Sequence, residues 1–198
     1  MKMLRCCSAA LLSFLCLSFL LPQKASCAYI LAITSTPGDY IGKGKDYVLT
    51  PADGFTFEAD SEFGHAISFY VDSNNSEWVL DIAAPHGQQL TVGSYPNASR
   101  WPFEPSSQPG LAFAGNGSGL NTSVGSFNVL EADFDSQGNV LRFAVDFIQY
   151  DGTPEQPYWA EGSLRYNSDI PVPEPATLLL IVMAAAGCEW FRRRHHRG

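Results

Sequence analysis

The chain has 198 residues, with 12 Lys+Arg against 20 Asp+Glu, a net charge of −8 and a sequence pI near 4.8. So acidic a balance argues against nucleic acid or an anionic membrane surface as partner, and fits divalent cations, basic partners or plain solubility. Its five cysteines are Cys6, Cys7, Cys16, Cys27 and Cys188, so the long stretch between the last two can hold no disulfide, thiolate metal site or cysteine nucleophile.

Lys2 and Arg5 make a charged leader, Cys6 to Leu21 an apolar core, and Ser26-Cys27-Ala28 a run of small residues. That order is a secretory signal peptide over residues 1–28, cut between Ala28 and Tyr29, with signal peptidase and the secretion machinery as partners. Cys27 suggests a lipoprotein cysteine, but Lys24 stands where that motif requires Leu.

Residues 29–171 read as one exported domain. They carry five of the twelve basic residues and eighteen of the twenty acidic ones, a net −13. Their hydrophobic pattern is β throughout. Ile67, Phe69 and Val71 alternate with small or polar residues, as do Trp78, Leu80 and Ile82, and further strands are expected near residues 29–35, 55–59, 111–114 and 159–166. Residues 129–147 read as a hairpin around Ser136-Gln137-Gly138-Asn139, with Gly138 supplying the left-handed turn conformation. Pairing Phe134 with Leu141 would put Leu130, Ala132, Phe134, Leu141, Phe143, Val145 and Phe147 on one face and Asp133 opposite Arg142 on the other. Residues 95–110 hold four prolines and three aromatics, too proline-rich for a strand and too aromatic for a plain linker. Residues 115–119 form a glycine-rich turn. Short strands punctuated by Gly and Pro predict an antiparallel β-sandwich or jelly roll.

Several chemistries can be tested against these residues, and the reading assigns no catalytic residue. Ser118 sits among glycines, but Asn116 occupies the first glycine's place in a G-x-S-x-G nucleophile turn. His65 shares the parity of Ile67 and Phe69 and reads as a satisfied, partly buried histidine; His86, between Pro85 and Gly87, reads as a turn residue. Glu131, Asp133 and Asp135 line one strand face, whose default state is solvated. Residues 133–138 begin like a calcium loop, yet Ala144 stands where an EF-hand needs a bidentate Glu. No metal site is assigned, although a looser calcium site from Asp133, Asp135 or Asn139 stays open. Trp101 and Phe103 offer flat apolar faces for sugar rings, with Asn97 and Arg100 as polar partners. The alternative, which the sequence favours, is that these aromatics fold back and close one end of the sandwich.

The tail runs Val172-Pro173-Glu174-Pro175, then an apolar stretch over residues 176–191, then a basic segment over 192–198 with Arg192, Arg193, Arg194 and Arg197. Pro173 and Pro175 keep Glu174 in an extended segment. These sixteen residues span roughly 24 Å as a helix, somewhat less than the ~30 Å hydrocarbon core. Arginine stems can reach the headgroups and recover the difference, and the four guanidinium groups hold the C-terminus in the cytoplasm. A Pro-Glu-Pro motif, a short membrane helix and a basic end in this order resemble the PEP-CTERM sorting signal of exported bacterial proteins. Glu174 with its flanking prolines carries over to the family motif, whereas Cys188 and Glu189 depart from an usually uncharged run. The resemblance implies an exosortase as partner, a transient inner-membrane precursor, and release to the cell surface or exopolysaccharide matrix.

Residues 115–131 also resemble a secreted bacterial domain of unknown function, through the glycine-rich turn, Asn121-Thr122 and Gly125-Ser126-Phe127-Asn128-Val129. Those relatives have cysteines where this chain has Leu120 and Asp151, which implies a lost disulfide and no particular activity. The expectation is a non-enzymatic exported protein without a cofactor, structural or adhesive within exopolysaccharide and able to bind glycan. The alternative is a secreted polysaccharide-active enzyme using carboxylates.

Overall fold

A computed structural model describes residues 28–173 apart from Phe63, Pro154 and Gln156. The expected signal peptide up to Cys27, Glu174, Pro175, the apolar run 176–191 and the arginines beyond it lie outside the described residues. Among the described residues no helix is long and apolar enough to cross a membrane.

Among the described residues ten strands follow one another: β1 (Ala28–Ser35), β2 (Tyr47–Leu49), β3 (Thr56–Glu62), β4 (Ala66–Ser73), β5 (Ser76–Ala83), β6 (Gly93–Arg100), β7 (Gly110–Gly115), β8 (Ser123–Phe134), β9 (Val140–Asp151) and β10 (Trp159–Ser168). They form one sheet in the order β2-β1-β10-β9-β8-β6-β7-β5-β4-β3. Neighbours pair antiparallel except β6 and β7, which touch in parallel at Ser99–Gly110 and Arg100–Leu111. The sheet curls until its two halves face each other. Phe69 of β4 meets Phe143 of β9 at 5.3 Å and Tyr166 of β10 at 5.8 Å, Tyr29 of β1 meets Phe57 of β3, and Tyr47 of β2 meets Trp78 of β5. The expected all-β class is the one observed, and the two layers of the sandwich are halves of one curled, mixed sheet.

The core is the set of alternating residues on the inner face. Leu31, Ile33, Phe69, Trp78, Leu80, Ile82, Phe113, Phe127, Phe143 and Leu164 are all within 2 % of complete burial. Each such side chain is worth roughly 1.5–3 kcal/mol on burial, and with no cysteine in this stretch it is this packing that must hold the fold. The alternations of β4 and β5 fall on the inner face as expected, and the strands expected near 29–35, 55–59, 111–114 and 159–166 are β1, β3, β7 and β10.

Two expectations are corrected. In the hairpin of β8 and β9, Phe134 pairs with Val140 rather than Leu141, although Asp133 does oppose Arg142. One extra residue enters each strand, Leu130 between Val129 and Glu131, and Leu141 between Val140 and Arg142. Each bulge resets the two-residue alternation. Leu130 and Leu141 therefore turn outward, 37 % and 50 % exposed, while Phe127 and Val129 join Phe143, Val145 and Phe147 inside. The second correction concerns residues 95–110, whose first part, 95–100, is most of the eight-residue β6. Proline cannot donate to a ladder, but the register with β8 slips between Tyr95 and Ala98. Pro96 and Asn97 (φ 56°) occupy that slip, so the missing N–H is not required.

Candidate functional site

β6 stops pairing with β7 at Arg100, whereas β7 runs on to Gly115. The edge of β7 facing away from β5 is thus left without a strand at Phe113. A side chain fills the gap: Gln149 of β9, 2 % exposed, accepts from Phe113 N at 2.8 Å and donates to Phe113 O at 3.0 Å. Outside this plug lies a groove of about 490 Å³ lined by Asp81, Arg100, Trp101, Ala112, Ala114, Leu120 and Asn121, with Gln149 and Phe113 at its floor. That volume falls in the ordinary range for small-ligand sites. The outward positions of β7 are Ala112 and Ala114, whose small side chains leave the groove its room.

Trp101 is the groove's aromatic wall. Its backbone N–H donates to Leu111 O at 3.3 Å, which carries β6 one residue past its last pair. Its ring lies over Gly110, where a Cβ would stand 2.9 Å from Trp101 Cε3 and 3.1 Å from Glu104 Cδ. Only a residue without a side chain lets the indole settle there. The edge of His65 meets the indole at 6.3 Å and His86 meets His65 at 5.9 Å. His65 Nδ1 lies 2.9 Å from Gln88 O. It is therefore the satisfied, partly buried histidine expected, and His86 sits in the turn before Gly87.

Asp81 is the acid of the groove. It points outward between the buried Leu80 and Ile82, pairs across strands with Ala112, and accepts from Ser68 Oγ at 2.6 Å. Burial pushes its carboxyl above the usual range, and the Ser68 hydroxyl only partly offsets this.

The four residues singled out for glycan contact do not converge. Arg100 and Trp101 share the groove. Phe103 neither lines it nor folds back into the core: it is 71 % exposed, with the Arg100 guanidinium 4.7 Å from its ring centre. Asn97 lines a separate hollow of about 460 Å³ with Gln108 and Tyr150. Sequence reasoning passed over Asp81, Asn121 and Gln149. The signal for Asp81 was its outward parity in a strand whose neighbour, β7, shows alanines on the same face.

At the hairpin tip, Asp135 uses both carboxylate oxygens locally. Oδ1 accepts from the N–H groups of Gln137 and Asn139 at 2.8 and 2.9 Å, and Oδ2 from Asn139 Nδ2 at 2.8 Å. Those hydrogen bonds, the Asn139 amide first, hold its carboxyl below the usual range. Among the described residues no three His, Cys, Asp or Glu side chains gather as metal ligands do.

The last of the described residues, 168–173, are fastened to the outer face of β10, β9 and β1. Ser168 Oγ donates to Glu131 Oε2, and Arg142 bridges Glu131 at 2.7 Å and Asp169 at 3.0 Å. Burial opposes ionisation of Glu131, but the bonds from Ser168 and Arg142 outweigh it and hold the carboxyl below its usual range. Arg165, 1 % exposed, donates from Nε to Ile170 O and from Nη2 to Pro171 O, at 3.0 and 3.1 Å. Its Nη1 donates to Val145 O and Leu164 O, and Asp146 lies 2.9 Å from Nη2 as counter-ion. Beyond this clamp Val172, half-buried, and Pro173, exposed, border a hollow of about 430 Å³ with Ile30, Ala32, Val48 and Ser163. At the start of the described residues Ala28 and Tyr29, the residues flanking the expected cut, open β1, with Ala28 paired to Ser168.

No curated protein and no solved structure matches the chain. Residues 171–195 match a family model described as the PEP-CTERM protein-sorting motif. The match begins at the proline held by Arg165 and spans Val172, Pro173, Glu174 and Pro175, the apolar run and the arginines Arg192, Arg193 and Arg194. Such a motif implies export, a membrane-anchored precursor and processing by an exosortase. The chain thus carries a PEP-CTERM sorting motif at its C-terminal side, and that motif implies an exosortase as the enzyme that processes it.

Proposed function

We propose that the exported domain is a non-enzymatic glycan-binding module, structural or adhesive, that acts at the cell surface within exopolysaccharide. The observation that carries this reading is the groove around Trp101. An indole laid over a glycine gives a flat apolar wall, the alanines of β7 give room, Asp81 and Asn121 border it with a carboxyl and an amide, and Arg100, its guanidinium held against Phe103, closes one side. Sugars are recognised by that combination, an apolar face for the C–H side of the ring and fixed donors and acceptors for its hydroxyls. The exported net charge of −13 suits a neutral glycan better than an acidic one. No metal is needed in this reading, and Asp135 and Asn139 of the calcium-loop pattern bond to each other in the hairpin turn.

The specific test is binding of oligosaccharides from the native matrix to the purified exported domain, by glycan array and calorimetry. Trp101→Ala should abolish binding, while Phe103→Ala, outside the groove, should leave it within about twofold. Equal binding by wild type and Trp101→Ala would refute the site.

One observation favours the enzymatic alternative, the raised carboxyl of Asp81, which is what a general acid needs. Glycosidases normally require a second carboxylate across the scissile bond, and the described residues lining the groove include Asp81 alone. Release of reducing ends from matrix polysaccharide, lost in Asp81→Asn, would decide for the enzyme.

A further inference from the structure

We propose that the outer face of β1, β9 and β10 is a seat for the chain's own segment Ile170–Pro173, built around Arg165, and that it withholds the sorting motif from the exosortase until the segment lifts. A surface arginine would hold one partner loosely. Arg165 is almost fully buried in a sheet face that would otherwise be open to water, and the cover is this segment. Its planar fork offers five N–H donors in fixed directions. Two reach the sheet through Val145 O and Leu164 O, two reach the segment through Ile170 O and Pro171 O, and Asp146 balances the charge. One side chain therefore joins the domain to the residues leading into the motif.

The chemistry of the segment explains why it needs such a clamp. Pro171 and Pro173 have no N–H, so half of the segment's four residues can give the sheet no backbone donor. It offers carbonyls, and the arginine is a donor aimed at carbonyls. Ser168 Oγ accepts from Ile170 N at 3.2 Å and Asp169 pairs with Arg142, which fixes the turn feeding the segment. Val172 then rests half-buried beside Ile30, Ala32 and Val48.

The consequence for processing is one of reach. Glu174 and Pro175 alone separate Pro173 from the apolar run that starts at Ala176. A protease must engage an extended stretch on the upstream side of its cut, and with the segment seated that stretch lies against the sheet. Lifting residues 169–173 frees about 17 Å more chain at about 3.4 Å per residue.

The test is pulse-chase of the full-length chain in exosortase-bearing cells, following precursor to mature form. Inserting six Gly/Ser residues between Pro171 and Val172 keeps the clamp and the motif but separates them. Conversion should then quicken at least about tenfold, as expected when a sparsely populated competent state becomes the major one. Arg165→Met should quicken it likewise, and should add nothing to the insertion. An insertion that leaves conversion unchanged or slower overturns the proposal, and this arm stands even where Arg165→Met does not fold.

Discussion

Gln149 tests whether the end of β6 is compensated by a side chain. Leu at this position has nearly the same volume and no polar atoms, so Gln149→Leu keeps the packing of Phe113 against Phe147, whose rings lie 5.0 Å apart. What it removes is the acceptor for Phe113 N and the donor for Phe113 O. Each buried backbone group left without a partner costs about 1–3 kcal/mol, so the pair predicts a loss of about 2–6 kcal/mol. Against a total stability of about 5–15 kcal/mol, that is a large fraction. At about 2–4 °C per kcal/mol for a domain of this size, a loss of about 4 kcal/mol lowers Tm by roughly 12 °C. The assay is urea unfolding followed by tryptophan fluorescence, with the midpoint read at constant slope. Gln149→Glu keeps an acceptor and loses the donor while burying a charge, so it should also fall well below wild type. A Gln149→Leu loss under about 0.5 kcal/mol would mean that groove water replaces the amide, and the plug would not be structural.

Three further outcomes follow from other residues. Gly115 packs under the buried Trp78, and a Cβ there would come 2.2 Å from Trp78 Cε3; Gly115→Ala should cost about 1–3 kcal/mol through overpacking, measured as a lower urea midpoint. Asp81 has its folded carboxyl raised by burial, so the folded state gains from the proton at low pH and loses that gain as the pH climbs through the raised value. Asp81→Asn, which still accepts from Ser68, should therefore raise Tm at neutral pH, with the advantage fading in acid; no Tm difference at neutral pH would refute the assignment. Asp135 has its folded carboxyl lowered by Asn139, so its contribution is full above the ordinary Asp range and disappears as the pH falls through the lowered value. Asp135→Ala should flatten the acid limb of a Tm-against-pH curve, and an unchanged limb would show that the turn bonds do not survive in solution.

The inner face was legible because burial enforces a two-residue alternation, and β4, β5 and β10 keep that period unbroken. The hairpin of β8 and β9 was half legible. Asp133 and Arg142 announced the charged face, but nothing in Val129-Leu130-Glu131 or Val140-Leu141-Arg142 marks which residue is extra, because leucine is acceptable on either side of a bulge. β6 was hidden by Pro96, which argues against a strand in any register that lacks a bulge. The groove was legible only through Trp101 and Arg100. Asp81, Asn121 and Gln149 come from three distant parts of the chain, and their meeting depends on where β6 stops. Arg165 is the plainest case of what a sequence conceals: flanked by Leu164 and Tyr166 it has the parity of a solvent-facing residue, and its burial comes from a segment that crosses back over it.

The curl of the sheet also relates the two regions in space. The groove opens on the outward side of β5 and β7, and the seat of the tail occupies the outward side of β1, β9 and β10. Those two parts of the sheet face each other across the core, as the contacts of Phe69 with Phe143 and Tyr166 require, so their outer faces look in opposite directions. With Pro173 at the sheet and two residues before the apolar run, a membrane-anchored precursor holds its seat side toward the bilayer within about 7 Å of chain. Its groove then faces away, toward the medium in which a matrix glycan would be met. If the proposed glycan reading holds, anchoring and binding use opposite faces of one sheet, and neither has to be undone for the other to occur.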